Sequence, residues 1–183
     1  RPPKKFLLRN PENGDFNQYW YSQNTIEWMV KEIEAQSKRA AFLSTPSVFF
    51  SLSDTDLIAN SKVFDFDKKF EKTNPEAFVF YDYKHPEDIP AELHGTFDYV
   101  IVDPPFIVRE VWELYTQAIK ILLKAEGGKM LCSTIMENKA MMDELLQVHP
   151  VAFLPSIPNL VYQYNFYANY ESEGLTEKNP EIP

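Results

Sequence analysis

The residues with the clearest chemical capacity are Asp103-Pro104-Pro105-Phe106, an acid, two imino acids and an aromatic in succession. The Asp103 carboxylate and a carbonyl of the proline pair are acceptors only, and proline brings no N–H to compete for them. An amine can donate into both acceptors at once, and its lone pair is then aimed in one direction. Phe106 adds a flat apolar face on which a base can stack or an alkyl chain can lie. In-line attack on an electrophilic methyl group requires such an aligned lone pair, and alignment supplies much of the barrier reduction. The competing reading of the same four residues is an ordinary Asp-Pro turn after a strand.

The elements that must position this unit are legible around it. Phe97-Asp98-Tyr99-Val100-Ile101-Val102 is a short apolar, β-branched run, the pattern of a strand buried on both faces. It must stop at the prolines, which cannot donate to a ladder and hold the chain extended. A stiff shelf then stands at the carboxyl end of a central strand, where open α/β sheets bind ligands. Upstream, Ile26, Met29, Val30 and Ile33 recur at helical spacing and predict a helix over 24–36, capped by Ser22 or Asn24. Strands are expected at 39–44, 61–67 and 77–83, with a helix from Pro46 to about residue 58. Beyond the shelf come a helix over 110–124, a strand over 129–135 and a helix over 136–147. Strands at 151–155 and 161–170 follow, and the short turn between them requires antiparallel pairing.

Acids fall at the ends of these strands. Asp65 and Asp67 close the second strand, where nucleotide-binding sheets accept hydrogen bonds from ribose hydroxyls; Asp65 is the first choice and Asp67 the second. Asp82, at the end of the third strand, could accept from an adenine amino group, with Tyr81 or Tyr83 stacked on the purine. Strand alternation puts both tyrosines on the face opposite Asp82. After the first strand, where a glycine-rich loop commonly lets backbone approach a cofactor, the chain has Ser44-Thr45-Pro46. Only five glycines occur in the whole chain. Asp65 and Asp67 have a bland counterpart as solvated loop residues.

At 183 residues the chain is long enough for one domain with a proper core. Residues 1–14 read as a flexible arm, 15–170 as the domain and 171–183 as a frayed tail. No apolar run reaches membrane-spanning length, and the first residues lack the apolar stretch of a signal peptide. The single cysteine, Cys132, excludes an internal disulfide and Cys-cluster metal sites and suits a reducing, cytoplasmic compartment. With three scattered histidines, no metal is expected. The formal net charge of −9 would repel a nucleic-acid backbone unless the cations cluster, and it suits a basic protein partner.

Asp-Pro-Pro-Phe matches the [Asp/Asn/Ser]-Pro-Pro-[Tyr/Phe/Trp] signature of amino-group methyltransferases. Gln18-Tyr19-Trp20-Tyr21-Ser22-Gln23, Thr45-Pro46-Ser47-Val48, Phe64-Asp65-Phe66-Asp67 and Phe78-Val79-Phe80-Tyr81-Asp82-Tyr83 extend the match. With Leu131-Cys132 and Tyr167-Ala168-Asn169-Tyr170, the chain from about 15 to 170 resembles one family. That family was once labelled N6-adenine-specific methyltransferase and is now associated with lysine methylation of translation elongation factor 1A.

The resemblance implies a Rossmann-like class I methyltransferase fold, α/β, with a seven-stranded, mostly parallel sheet whose last strand is antiparallel. It implies S-adenosyl-L-methionine as cofactor, with the acceptor nitrogen over Asp103, Pro104, Pro105 and Phe106. By the same resemblance Tyr21 and Ser22 stand where related enzymes hold the methionine end of the cofactor, and Ser44, Thr45, Pro46, Asp65, Asp67, Asp82 and Tyr83 are the other expected contacts. The implied function is protein-lysine methylation, with elongation factor 1A as partner. An adenine-N6 methyltransferase for DNA or RNA, or a silent methyltransferase fold used as a binding module, would share the fold.

Overall fold

The computed structural model describes residues 2–183; Arg1, part of the expected arm, lies outside the described residues. Its centre is a seven-stranded sheet in the order β3-β2-β1-β4-β5-β7-β6. The strands are β1 (Ala40–Leu43), β2 (Lys62–Asp65), β3 (Phe78–Phe80), β4 (Tyr99–Val102), β5 (Lys129–Ile135), β6 (His149–Pro150) and β7 (Tyr164–Ala168). β1 to β5 pair in parallel, and β7 runs antiparallel to both β5 and β6. The expected mostly parallel sheet with an antiparallel last strand is the sheet observed.

Every residue of β1 and β4 is buried, as continuous apolar runs between two helical layers must be. Alternation divides their side chains between two cores. Ala40, Phe42, Tyr99 and Ile101 enter the core that holds Ile26, Met29 and Ile33 from α2 (Gln23–Gln36). Ala41, Leu43, Val100 and Val102 enter the other, with Trp112, Tyr115 and Ile119 from α5 (Arg109–Leu122) and Met142 from α6 (Lys139–Leu146). β1 is flanked by β2 on one side and β4 on the other, so chain order reverses between β1 and β4. A crevice opens at such a switch point, beyond the carboxyl ends of the strands.

Local chemistry sets several boundaries away from the expected ones. The helix expected after Pro46 is two pieces, α3 (Pro46–Phe49) and α4 (Thr55–Asn60). Ser51 Oγ donates back to the Ser47 carbonyl at 2.6 Å, and Asp54 caps α4 by accepting from the N–H groups of Asp56 and Leu57. Short polar side chains compete in this way with helix continuation. The strand expected at 151–155 is displaced to His149–Pro150. The Ala152 and Phe153 N–H groups donate instead to the Leu175 carbonyl, at 3.2 and 3.3 Å.

Both chain ends depart from the expected arm and tail. Residues Pro2–Arg9 form α1, and Phe6, 4% exposed, lies among Trp20, Phe50 and Phe70 with ring centroids 5.4, 6.2 and 5.9 Å away. One wedge of aromatic surface thus docks a short basic helix. Phe6→Ala is expected to lower unfolding stability by about 3 kcal/mol, measured by chemical denaturation, because the vacated ring site cannot fully collapse. A change of less than about 0.5 kcal/mol would mean that α1 is not held by this wedge. At the other end Leu175 is buried, Asn179 Nδ2 donates to the Leu154 carbonyl at 2.8 Å, and Ser22 Oγ donates to Glu181 Oε1 at 2.6 Å. Polar composition suggested fraying, but these polar groups are used to close the segment onto α2. Among the described residues no helix is long and apolar enough to cross a membrane.

Candidate active site

A cleft of about 360 Å³ opens at the carboxyl ends of β1, β2 and β4, and Asp103-Pro104-Pro105-Phe106 forms part of its wall. Asp103 follows β4 directly, its N–H donating to the Leu43 carbonyl at 3.3 Å, so the sheet itself fixes where the shelf begins. Phe106 stands at the rim, 49% exposed. Asn17 Nδ2 donates to the Pro105 carbonyl and so ties the segment before α2 to the shelf. Asn17 itself is in the left-handed conformation, with φ 53°, which a short amide side chain tolerates. The Pro104 carbonyl has no hydrogen-bond partner among the described residues and is left as the proline acceptor for a ligand.

One oxygen of Asp103 is already engaged. Ser133 Oγ on β5 donates to Asp103 Oδ1 at 3.0 Å, and Tyr21 Oη lies 2.6 Å from the same Ser133 oxygen. Burial pushes the Asp103 carboxyl up to about 7, against a downward pull from the Ser133 and Tyr21 hydroxyls. A carboxyl in that range changes charge near neutrality.

The cofactor side of the cleft is built by β1, β2 and the turn after β3. Ser44 follows β1 at φ 59°, the left-handed conformation usually left to glycine, and its hydroxyl is 2.7 Å from Tyr115 Oη on α5. The chain therefore makes, without glycine, the backbone geometry that a glycine-rich loop would provide. Ser44 and Pro46 line the cleft. Thr45 is buried behind them, its hydroxyl without a partner among the described residues.

Of the two acids at the end of β2, Asp65 closes the strand and lines the cleft, and Asp67 does not line it. Asp67 accepts from Gln18 Nε2 at 3.0 Å and from the Lys69 N–H at 3.2 Å, while its own N–H donates to Asp65 Oδ1 at 2.9 Å. Asp67 thus braces the segment before α2 and orients Asp65. Burial is the main cause that lifts the Asp65 carboxyl to about 7.

Tyr81, Asp82 and Tyr83 all line the cleft, contrary to the alternation expected of a strand. β3 ends at Phe80, so the period of two lapses before these residues begin. Tyr81 is buried with its hydroxyl lacking a partner among the described residues, and Tyr83 stacks on Tyr115 at 5.8 Å.

Tyr21 and Ser22 are not at the cleft wall. Tyr21 is 2% exposed, with its hydroxyl on Ser133, and Ser22 caps α2 by accepting from the Thr25 N–H at 3.1 Å. Both serve the frame of the site. Asn17, Gln18, Tyr115, Ser133 and Tyr164 were not singled out from the sequence. A usable signal existed for Ser133, since a hydroxyl inside a buried strand must find a partner. Asn17 and Tyr115 carry no comparable mark, because their partners lie 88 and 71 residues away.

A doubly flanked parallel sheet, an acid closing β2 and an Asp-Pro-Pro-Phe shelf closing β4 define a Rossmann-like methyltransferase. Solved structures agree on the fold. A putative RNA methyltransferase from Pyrococcus horikoshii superposes with a TM-score of 0.58 at 14% identity, covering 92% of this chain and 95% of that one. A branched-chain polyamine synthase from Thermus thermophilus gives 0.67 at 13% identity, over 94% of this chain and 65% of that one.

The chain belongs to the family described as probable N6-adenine methyltransferase, whose model matches residues 12–172, and it shares that family with EEF1A lysine methyltransferase 1. The Homo sapiens EEF1A lysine methyltransferase 1 is 36% identical, over 88% of this chain and 76% of its own length. The Danio rerio protein of the same name is 36% identical, over 87% and 99%. A Caenorhabditis elegans protein-lysine N-methyltransferase is 33% identical, over 88% and 79%.

Proposed function

We propose that this protein is an S-adenosylmethionine-dependent lysine N-methyltransferase acting on translation elongation factor 1A. The observation that carries the reading is the shelf: a partly buried carboxyl with one oxygen anchored by Ser133, beside the Pro104 carbonyl, in a chain of this family. The chemistry of the cleft fits a nucleoside-bearing cofactor. Asp65 offers a buried acceptor for ribose hydroxyls, Asp82 an acceptor for the adenine amino group, and Tyr83 a ring at the same wall. The buried Tyr81 hydroxyl, without a partner among the described residues, is a further polar group at that wall. When bound, S-adenosylmethionine supplies an electrophilic methyl group.

The remaining work belongs to the chain's own residues. A lysine ammonium, with a free pKa near 10.4, must lose a proton before its nitrogen can attack. An apolar-walled cleft favours the neutral amine, whereas an ionised Asp103 favours the ammonium. These effects oppose each other, so Asp103 serves mainly as the acceptor that aims the amine. Phe106 at the rim gives the lysine methylenes a surface to lie on. The net charge of −9 suits a basic protein partner and disfavours a nucleic-acid backbone. A cytoplasmic location goes with that substrate.

A second reading, transfer to the N6 amino group of adenine in DNA or RNA, has the family's description in its favour and could use the same shelf. Incubating the protein with S-adenosylmethionine and purified elongation factor 1A, followed by peptide mass mapping, tests the proposal. Methylation at a lysine, absent when that lysine is arginine, is the expected result; unmodified factor with active cofactor turnover elsewhere would sink it.

A further inference from the structure

We infer that Ser133 and Tyr21 are positioning residues for the transfer reaction, a buried hydroxyl relay that holds Asp103 Oδ1 and leaves Oδ2 to take the N–H of the acceptor amine. This deepens the proposed reading and rests on Asp103 being the group that aims the amine. With Asp103 ionised, the geometry has one consistent proton arrangement. Ser133 has a single hydroxyl proton, and it is directed at Asp103 Oδ1 over 3.0 Å. The 2.6 Å contact between Tyr21 and Ser133 must then be donated by Tyr21. Tyr21 terminates the relay, since its ring lies against Phe166 at 6.0 Å and the residue is 2% exposed.

The relay has two effects on Asp103. It fixes the carboxyl plane, because β5 carries Ser133 in register with β7 through the Ser133–Phe166 pair, and Tyr21 closes it from the segment before α2. It also favours the ionised form by donating to it, opposing the effect of burial. The other titratable groups acting around Asp103 are Tyr164 from β7 and Tyr115 from α5, the latter also facing Asp65. None of the groups acting on Asp103 is a cation, so the hydroxyls are what the carboxylate relies on. Ser133 is buried in β5 behind Met130, Leu131 and Cys132, where alanine would pack as well if no partner had to be served.

The test compares wild type with Ser133→Ala, Tyr21→Phe and Ser133→Thr. The Asp103 carboxyl is titrated by carbon-13 NMR, with its resonance assigned by its loss in Asp103→Asn, and the rate is followed against pH at saturating cofactor. Removing either hydroxyl should raise the carboxyl midpoint, by about one pH unit for Ser133→Ala. Turnover at saturating cofactor should fall with the cofactor dissociation constant unchanged, and Ser133→Thr should restore both the midpoint and the turnover. A carboxyl midpoint unmoved in both Ser133→Ala and Tyr21→Phe would overturn the relay. So would a change confined to cofactor affinity in Tyr21→Phe, which would return Tyr21 to the role of cofactor contact. The titration needs no substrate, so it judges the relay even if elongation factor 1A proves not to be the acceptor.

Discussion

Asp103→Ala is expected to lower methyl transfer by about 10²–10³-fold or more, with the dissociation constant for S-adenosylmethionine changed by no more than a few fold. The variant removes the acceptor oxygens while leaving Pro104, Pro105 and the strand below them in place. The loss should therefore fall on the turnover number at saturating cofactor. Asp103→Asn separates two roles for the same side chain. Asparagine keeps an acceptor oxygen for the amine but cannot take a proton. If Asp103 aims the amine, the asparagine variant should retain most of what the alanine variant loses. If it were an essential general base, asparagine would also cost about 10²–10⁴-fold. Unchanged turnover in the alanine variant would remove the shelf from the mechanism.

Asp65→Ala should act on the other half of the reaction. Loss of charge-assisted hydrogen bonds to the ribose is expected to weaken cofactor binding by about 10–100-fold, read by calorimetric titration, with a turnover number at saturation close to wild type. Misfolding is not the expected cause of such a loss. Burial raises the Asp65 carboxyl from 3.8 to about 7 in the folded protein. A raised value means that its contribution to stability is fully present below the unfolded value and is lost as pH rises through about 7. At pH 8 the ionised, buried Asp65 is therefore a liability to the apo fold, and removing it should leave denaturation midpoints equal or higher. An unaltered dissociation constant would show that Asp65 is not the ribose acid.

The placement of these two acids at the cleft was legible because it is set locally. Each stands at the carboxyl end of an apolar run, and a strand end at a topological switch needs no long-range information to be noticed. The same holds for β1, β4 and α5, whose patterns of burial are written in consecutive residues. The groups that hold the site together were hidden for the opposite reason. Tyr21 meets Ser133 across 112 residues, Asn17 meets Pro105 across 88, and Gln18 meets Asp67 across 49.

The terminal segments illustrate the same limit. Phe6 in a basic, proline-led stretch gives no sign of the aromatic wedge it fills, and the polar run after Glu171 gives no sign that Leu175 and Asn179 are buried. The tyrosines after β3 misled by obeying a strand period in a segment where the strand had ended. Adjacency in sequence does not separate Tyr21 from its neighbours, whereas the fold turns Tyr19 and Trp20 to the cleft and Tyr21 into the core.

On the proposed function, the amine aimed by Asp103 and Pro104 belongs to a lysine of elongation factor 1A. The most direct measurement supplies the purified protein with radiolabelled S-adenosylmethionine and a mixed pool of elongation factor 1A, total RNA and duplex DNA, then asks where the label lands. Label on elongation factor 1A, abolished by changing one acceptor lysine to arginine and by Asp103→Ala in the enzyme, is the predicted result. Label recovered in nucleic acid as N6-methyladenine, with none on the protein, would contradict it.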